Sequence, residues 1–259
     1  DASSGSPIIT FNGTGTGQTI IAGTTSLTKA GGATSLTVND STNNRIIDAN
    51  GDISITANTI LQAPASASFT VAGSWTNAGT FTHNSGTVIF DATSTAKTIN
   101  PGGSSFYDLT FNGSGGAWSP LTNTVSVAND LTMTAGTFDN SNGSANVTVN
   151  GHIQGTAGSI NMTTNTFNQR VGAAKNFGTT SGSANWTFNN LTFSDSSASP
   201  FTITTQTGGS GTITINGNLL VSASGDSGVT TLNAGNRTWR LVNTNGSNPF
   251  DIDKAGGGL

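Results

Sequence analysis

Apolar residues in this chain alternate with Thr, Ser and Asn over three to five positions, break at Gly, Asn or Asp, and resume. Ile213-Thr214-Ile215-Asn216-Gly217-Asn218-Leu219 is the clearest instance. Phe69–Trp75, Val125–Leu131 and Val147–Ile153 repeat its grammar, and Ile53-Ser54-Ile55 opens a looser copy. Strict alternation bounded by turn residues predicts half-buried strands joined by tight corners. The copies start at 53, 69, 125, 147 and 213, with gaps of 16, 56, 22 and 66 residues. Self-similarity on this scale marks stacked repeats, and three of the gaps fit a coil of roughly 16–22 residues. The expected fold is all-β, a parallel β-solenoid of about a dozen short coils without substantial helix. At about 4.8 Å per coil it forms a rod roughly 60 Å long. Antiparallel β-sandwiches bury alternate residues equally well and are the alternative.

A second similarity suggests a longer repeat. Ile8-Ile9-Thr10-Phe11-Asn12-Gly13 returns as Leu109-Thr110-Phe111-Asn112-Gly113 and as Leu191-Thr192-Phe193. The last two share the lead-ins Phe106-Tyr107-Asp108 and Phe188-Asn189-Asn190. Residues 1–259 are read as one elongated domain, with a seam near 62–68 around Pro64 and a distinct charged end over 226–259.

Composition supports strands and turns. Charged residues are 8% of the chain, against about 25% in average domains, and every acid is Asp. Disorder does not fit, because thirteen Phe and four Trp recur at regular intervals within a 33% apolar fraction. A net charge of -4 and eight dispersed Lys and Arg exclude a phosphate-binding face, hence nucleic acid. No apolar run approaches the length of a membrane span. The absence of Cys excludes disulfides and thiolate metal sites. Asp1 in place of Met leads to the expectation of a removed leader.

Few residues suggest chemistry. Asp48, Asn50 and Asp52 place oxygen ligands at alternate positions around Gly51, as calcium loops do, but no later carboxylate completes the set. An ordinary turn is the preferred reading, there and at Asp139–Gly143, so no cofactor is expected beyond calcium at that loop. Carbohydrate cleavage needs two converging acids, whereas these Asp are scattered at corners. His83 and His152 stand in turns without a Ser and Asp arrangement, and no enzyme is expected. Trp75 and Trp186 occupy inward positions, while Trp118 in a Gly-rich corner is the tryptophan expected to face solvent and sugars. Thr202-Ile203-Thr204 and Thr212-Ile213-Thr214 have the alternation of an ice-binding face, but outward Thr is the ordinary polar residue of a strand. Asn-X-Ser/Thr triplets, including those at Asn12, Asn112, Asn146 and Asn190, occur at the frequency composition predicts.

Charge is missing over long stretches: Ile53 to Phe90, Asn140 to Gln169 and Ser196 to Gly225. Free strand edges are normally guarded by charge or Pro. A solenoid with one bare end, and the other carrying Arg237, Arg240, Asp251, Asp253 and Lys254, suits head-to-tail stacking. If strands are exchanged between copies, the Asp1–Phe11 end is the expected donor.

The run from Phe69 through Trp75, Thr80-Phe81 and Asn84-Ser85-Gly86-Thr87-Val88, with Phe106–Phe111, resembles the repeats of large prokaryotic surface proteins. These are β-strand-repeat, adhesin-like chains of the filamentous-haemagglutinin solenoid type, and the likeness covers roughly residues 65–220. It implies export, a secreted or cell-surface setting, and structural or adhesive work, and it transfers no catalytic residue. The expected function is a filament subunit that assembles with itself, or a stalk segment of an adhesin. A polysaccharide-binding or polysaccharide-degrading β-helix, with surface glycans as partners, is the alternative.

Overall fold

The computed structural model describes residues 46–196, 201–223 and 231–242, together with the backbone strands at 8–10, 19–22, 25–27, 36–39 and 250–254. Among the described residues there are strands and corners and no helix. Each strand pairs in parallel with the strand one turn away, so the sandwich alternative is set aside and the fold is a parallel β-solenoid.

The coil has three sides. Side one stacks Thr19–Ala22, Ile46–Ala49, Phe69–Val71, Thr87–Phe90, the start of Asp108–Pro120 and of Leu131–Asp139, Ile153–Gly155, Lys175–Thr179, Thr202–Thr205 and Thr231–Asn233. Side two stacks Thr25–Leu27, Ile53–Ile55, Trp75–Asn77, Lys97–Asn100, the ends of the two long strands just named, the starts of Ser159–Val171 and Trp186–Asp195, Ile213–Ile215 and Trp239–Leu241. Side three begins with Ile8–Thr10, Leu36–Asn39, Thr59–Gln62 and Thr80–Thr82. It resumes at the Phe106–Val127 bridge and continues through Val125–Val127, Val147–Val149, the ends of Ser159–Val171 and Trp186–Asp195, Leu219–Ala223 and Phe250–Lys254. Where the side-three ladder breaks, the Phe81 N–H donates to Ser104 Oγ at 3.1 Å instead of to a backbone carbonyl.

Ile53 and Trp239 lie about eight turns apart along side two, or about 40 Å at about 4.8 Å per turn. The turns are therefore longer and fewer than the dozen expected. Phe69 meets Val88 nineteen residues on and Leu109 meets Leu131 twenty-two on. Towards the ends the turns lengthen: Thr25 meets Ile53 twenty-eight residues on, and Ile203 meets Leu232 twenty-nine on.

The repeated motif is a corner and not a coil. Phe69–Trp75 passes from side one to side two, Val125–Leu131 and Val147–Ile153 from side three to side one, and Ile213–Leu219 from side two to side three. Only the gap of 22, between copies on the same corner, measures a turn. The longer repeat dissolves for the same reason: Leu109–Phe111 lies on side one and Leu191–Phe193 on side three. The seam near 62–68 is the corner from side three to side one, with Ala63 and Pro64 buried, and the ladders run past it unbroken.

Alternation fills the axis. In the strands Ile53–Ile55, Phe69–Val71, Val125–Val127, Val147–Val149 and Ile213–Ile215 both apolar residues are buried and the polar one between them faces outward. Each side of one coil contributes a ring to the centre: Phe69, Trp75 and Phe81 meet at centroid distances of 5.7, 4.9 and 6.4 Å. Between coils, Phe90, Phe111 and Phe138 stack nearly parallel at 5.6 and 4.6 Å. Rings prefer such offset and edge-on arrangements. A second cluster gathers Phe167, Phe177, Trp186, Phe188, Phe193 and Trp239.

Candidate functional site

The corner residues that the sequence marks for chemistry serve the stack itself. Asp52 Oδ1 accepts the Ser74 N–H of the next coil at 2.7 Å, and Ser74 Oγ accepts the Thr98 N–H of the coil after that at 3.1 Å. On the corner from side three to side one, Asp108 Oδ1 accepts the Asp130 N–H, Asp130 Oδ1 accepts the His152 N–H, and His152 Nδ1 accepts the Asn176 N–H, at 3.0, 2.7 and 3.0 Å. Asn140, Asn146, Asn185 and Asn190 accept the N–H of Thr163, Thr166, Thr212 and Asn218 in the same way. A parallel ladder loses its backbone partners wherever the chain turns, and an unpaired N–H is costly to bury. At these corners one polar side chain of the previous coil supplies the missing acceptor.

This accounts for the glycine in three copies of the motif; in the fourth, Val125–Leu131, Asn129 takes its place and its Nδ2 donates to the clamp Asp108 Oδ1 at 2.7 Å. A Cβ at Gly73 would lie 2.4 Å from Asp52 Oδ1, one at Gly151 2.3 Å from Asp130 Oδ1, and one at Gly217 2.5 Å from Asn190 Oδ1. The glycine clears the space through which the clamp of the previous coil reaches. The clamps were not singled out in the sequence reading. Their signal is the spacing of Asp108, Asp130 and His152, 22 residues apart each time.

The calcium-loop residues are split. Asp48 is on the outer row of side one, where its Oδ1 accepts from Thr70 Oγ1 at 2.8 Å, while Asn50 is exposed in the bend and Asp52 is a corner clamp. Among the described residues no three His, Cys, Asp or Glu gather as a metal site. Asp139 accepts from Ser119 Oγ at 2.6 Å and from Ser141, as a turn residue does. Asp91 differs: its Oδ1 is buried without a hydrogen-bond partner. Burial, and then the charge of Asp48, raise its carboxyl above the usual range against the lowering effect of a backbone hydrogen bond.

Trp75, Trp118 and Trp186 are fully buried, and the expectation for Trp118 is overturned. Its ring packs beneath the corner glycines Gly116 and Gly136, where an added Cβ would meet it at 2.6 and 2.9 Å, so the small corner residues make room for the indole. His83 and Tyr107 stack on one outer corner at 5.3 Å. His83 Nδ1 accepts the Ser85 N–H at 3.0 Å, closing its own turn. Two of the recesses in the outer surface are open to solvent. One on side three is lined by Thr166, Asn190, Thr192, Asn218 and Leu220, and another surrounds Arg237.

Of the charged C-terminal group, Arg237 clamps three turns together. Its guanidinium donates to Gln206 O at 3.3 Å, Gly209 O at 3.1 Å and Thr179 Oγ1, and burial lowers its pKa. Asp251, Asp253 and Lys254 belong to the last strand of side three, in register with Leu220, Ser222 and Ala223. Residues 1–7 and 255–259, like Asn12, lie outside the described residues. No described helix is long and apolar enough to cross a membrane.

At the last coil the core opens. Ile203, Ile213 and Ile215 are buried to within 2%. Their partners one coil further on, Leu232 and Trp239, are half-buried, and Leu241 is 37% exposed. The strands of the first and last coils each pair on one edge only among the described residues.

Comparisons with family models, with curated proteins and with solved structures find no match for this chain.

Proposed function

We propose that this chain is a structural subunit of an extracellular or cell-surface filament, built by stacking its solenoid head to tail. The observation that carries the reading is the open end of the core. Leu232, Trp239 and Leu241 follow Ile203, Ile213 and Ile215, which are sealed, and a further coil seated on them would seal these three as well. Among the described residues the strands there have one edge unpaired on each of the three sides, and a parallel coil of the same design is the partner that satisfies them all. The long charge-free stretches and the likeness to prokaryotic surface repeats favour assembly outside the cell. A stalk segment of an adhesin rests on the same observation, with the next coil supplied by a longer chain. Donation of Ile8–Thr10, the first rung of side three, to a neighbouring copy is a variant of the same junction.

Electron microscopy of the purified chain tests this directly. The filament reading expects unbranched fibres one solenoid wide, growing from chain alone. Discrete particles at every concentration would reject self-assembly and leave the stalk as the structural alternative.

A further inference from the structure

Among the described residues the chain begins and ends its coil on the same side. The first strand, Ile8–Thr10, and the last, Phe250–Lys254, both belong to side three. Between them the chain passes sides one, two and three in that order, turn after turn. Side three therefore carries one rung more than side one or side two. Ile8–Thr10 pairs with Leu36–Asn39 and Phe250–Lys254 with Leu219–Ala223, and neither has a described partner on its other edge. The surplus rung decides how two copies can join. A coil seated on the open end puts Thr19–Ala22 of the second copy on Thr231–Asn233 of the first, and Thr25–Leu27 on Trp239–Leu241. The second copy reaches its Thr19–Ala22 from its own Ile8–Thr10, which then falls at the level of Phe250–Lys254 of the first. A single side-three position lies between Leu219–Ala223 of the first copy and Leu36–Asn39 of the second, and two strands claim it.

Building on the filament reading, we infer that Phe250–Lys254 keeps this position and displaces Ile8–Thr10 of the next copy, so that the C-terminal strand of one subunit pairs with Leu36–Asn39 of the next. Two observations favour the C-terminal strand over the N-terminal one. It is longer, with five residues in register with Leu219–Ala223, whereas Ile8–Thr10 has three in register with Leu36–Asn39. Left in place it pairs along all of Leu219–Ala223 on one edge and all of Leu36–Asn39 on the other, where Ile8–Thr10 would pair over three residues on each. Backbone groups at a closed junction need those partners. Its alternation also fits both neighbours. Phe250 and Ile252 are in register with Leu219 and Val221, which are buried, and Leu36 and Val38 are in register with Thr59 and Leu61, which are buried too. Phe250-Asp251-Ile252-Asp253 set against Leu36-Thr37-Val38-Asn39 thus brings an apolar residue to both inward positions. Ile8–Thr10 brings one, Ile9, in register with Val38. Thr19–Ala22, Thr25–Leu27 and Leu36–Asn39 carry no charge, so no like charge opposes Arg240, Asp251 or Asp253 across the junction.

The chain has no Cys, so introduced thiols report chosen contacts. Thr37 is in register with half-buried Ile60, and Leu220 is itself half-buried, so both are outer-row positions. With the C-terminal strand in place, Asp251 of one copy lies beside Thr37 of the next. With Ile8–Thr10 in place instead, Ile8 of the next copy lies beside Leu220 of the first. Adjacent strands run about 4.8 Å apart, within the Cα separation a disulfide spans. The full-chain variant T37C/D251C, assembled and then oxidised, should give a denaturant-resistant ladder of covalent multimers, and I8C/L220C roughly tenfold less. Hydrogen exchange on the unmodified chain reads the same choice without any substitution: assembly should slow the amides of Phe250–Lys254 and speed those of Ile8–Thr10. A ladder from I8C/L220C and not from T37C/D251C, or slowing at Ile8–Thr10 with speeding at Phe250–Lys254, would overturn the assignment in favour of N-terminal donation. Fibres in which neither pair cross-links and neither strand changes its exchange would overturn the shared rung and leave the filament reading standing. Absence of fibres from the unmodified chain would overturn both.

Discussion

At the scale of the residue, the corners are the most informative part of this protein. Asp130 accepts the His152 N–H and leaves its own N–H to Asp108, so Asp130→Ala breaks a link in a chain of clamps. A loss of about 1–3 kcal/mol is expected on chemical denaturation, the cost of stranding a part-buried donor, with Asp130→Asn retaining most of the stability. Backbone strain gives a pair of opposite outcomes. Ala96 is exposed at φ 64°, and Ala96→Gly should stabilise by about 1 kcal/mol because glycine reaches that region without a Cβ clash. Gly102 has φ 61° and would place a Cβ 1.8 Å from Asn77 O, so Gly102→Ala should destabilise. Melting temperatures of the two variants, moving in opposite directions, check both.

Asp91 supplies the pH dependence. Its carboxyl titrates higher in the folded chain than in the unfolded one. The penalty of holding it charged is present in full above the folded pKa and disappears as pH falls to the ordinary carboxylate range. Asp91→Asn should therefore stabilise at pH 7, and its advantage should shrink steadily on acidification. A constant advantage would show the carboxyl to titrate alike in the folded and unfolded chain, and one that grows towards acid would show the carboxylate to be favourably held; either contradicts the account.

At the scale of the element, strands and sides were unequally legible. The alternation at Phe69–Val71 or Val147–Val149 named its buried residues correctly, since a period of two admits one inward set. The corners were also placed, because Gly73 and Gly151 are required by the clamp beneath them. Which side a strand occupies could not be read. The same Gly-centred phrase makes all three corners, so its spacing reports sides and turns together. Trp118 was misjudged because its cover comes from Gly136, a turn later in the chain, and no local pattern shows that. The long strands Asp108–Pro120 and Ser159–Val171 also exceed the expected three to five residues, since pairing continues around their corners.

Phe111 joins Phe90 below it to Phe138 above. Phe111→Ala should cost about 3–5 kcal/mol, as for large aromatic truncations in well-packed cores. Because each coil contacts only its neighbours, hydrogen exchange should accelerate first in the coils around Phe111. Uniform acceleration along the chain would instead indicate a single cooperative unit.

At the scale of the whole molecule, a rod of about eight turns closes its core through the described middle coils and opens it at the last one. Thr, Ser and Asn on the outer rows make a surface nearly without charge, and the polar side chains that look like ligands are engaged in holding one coil on the next. Among the described residues the last coil leaves open three strand edges and the apolar group Leu232, Trp239 and Leu241. On the proposed filament function, such a chain propagates its own coil. Diffraction from aligned fibres of the purified chain tests that claim most directly. Stacked coils predict a reflection near 4.8 Å on the meridian, along the fibre axis, from strands running across it. The same spacing confined to the equator, or a solution that remains monomeric and yields no fibres, would contradict it.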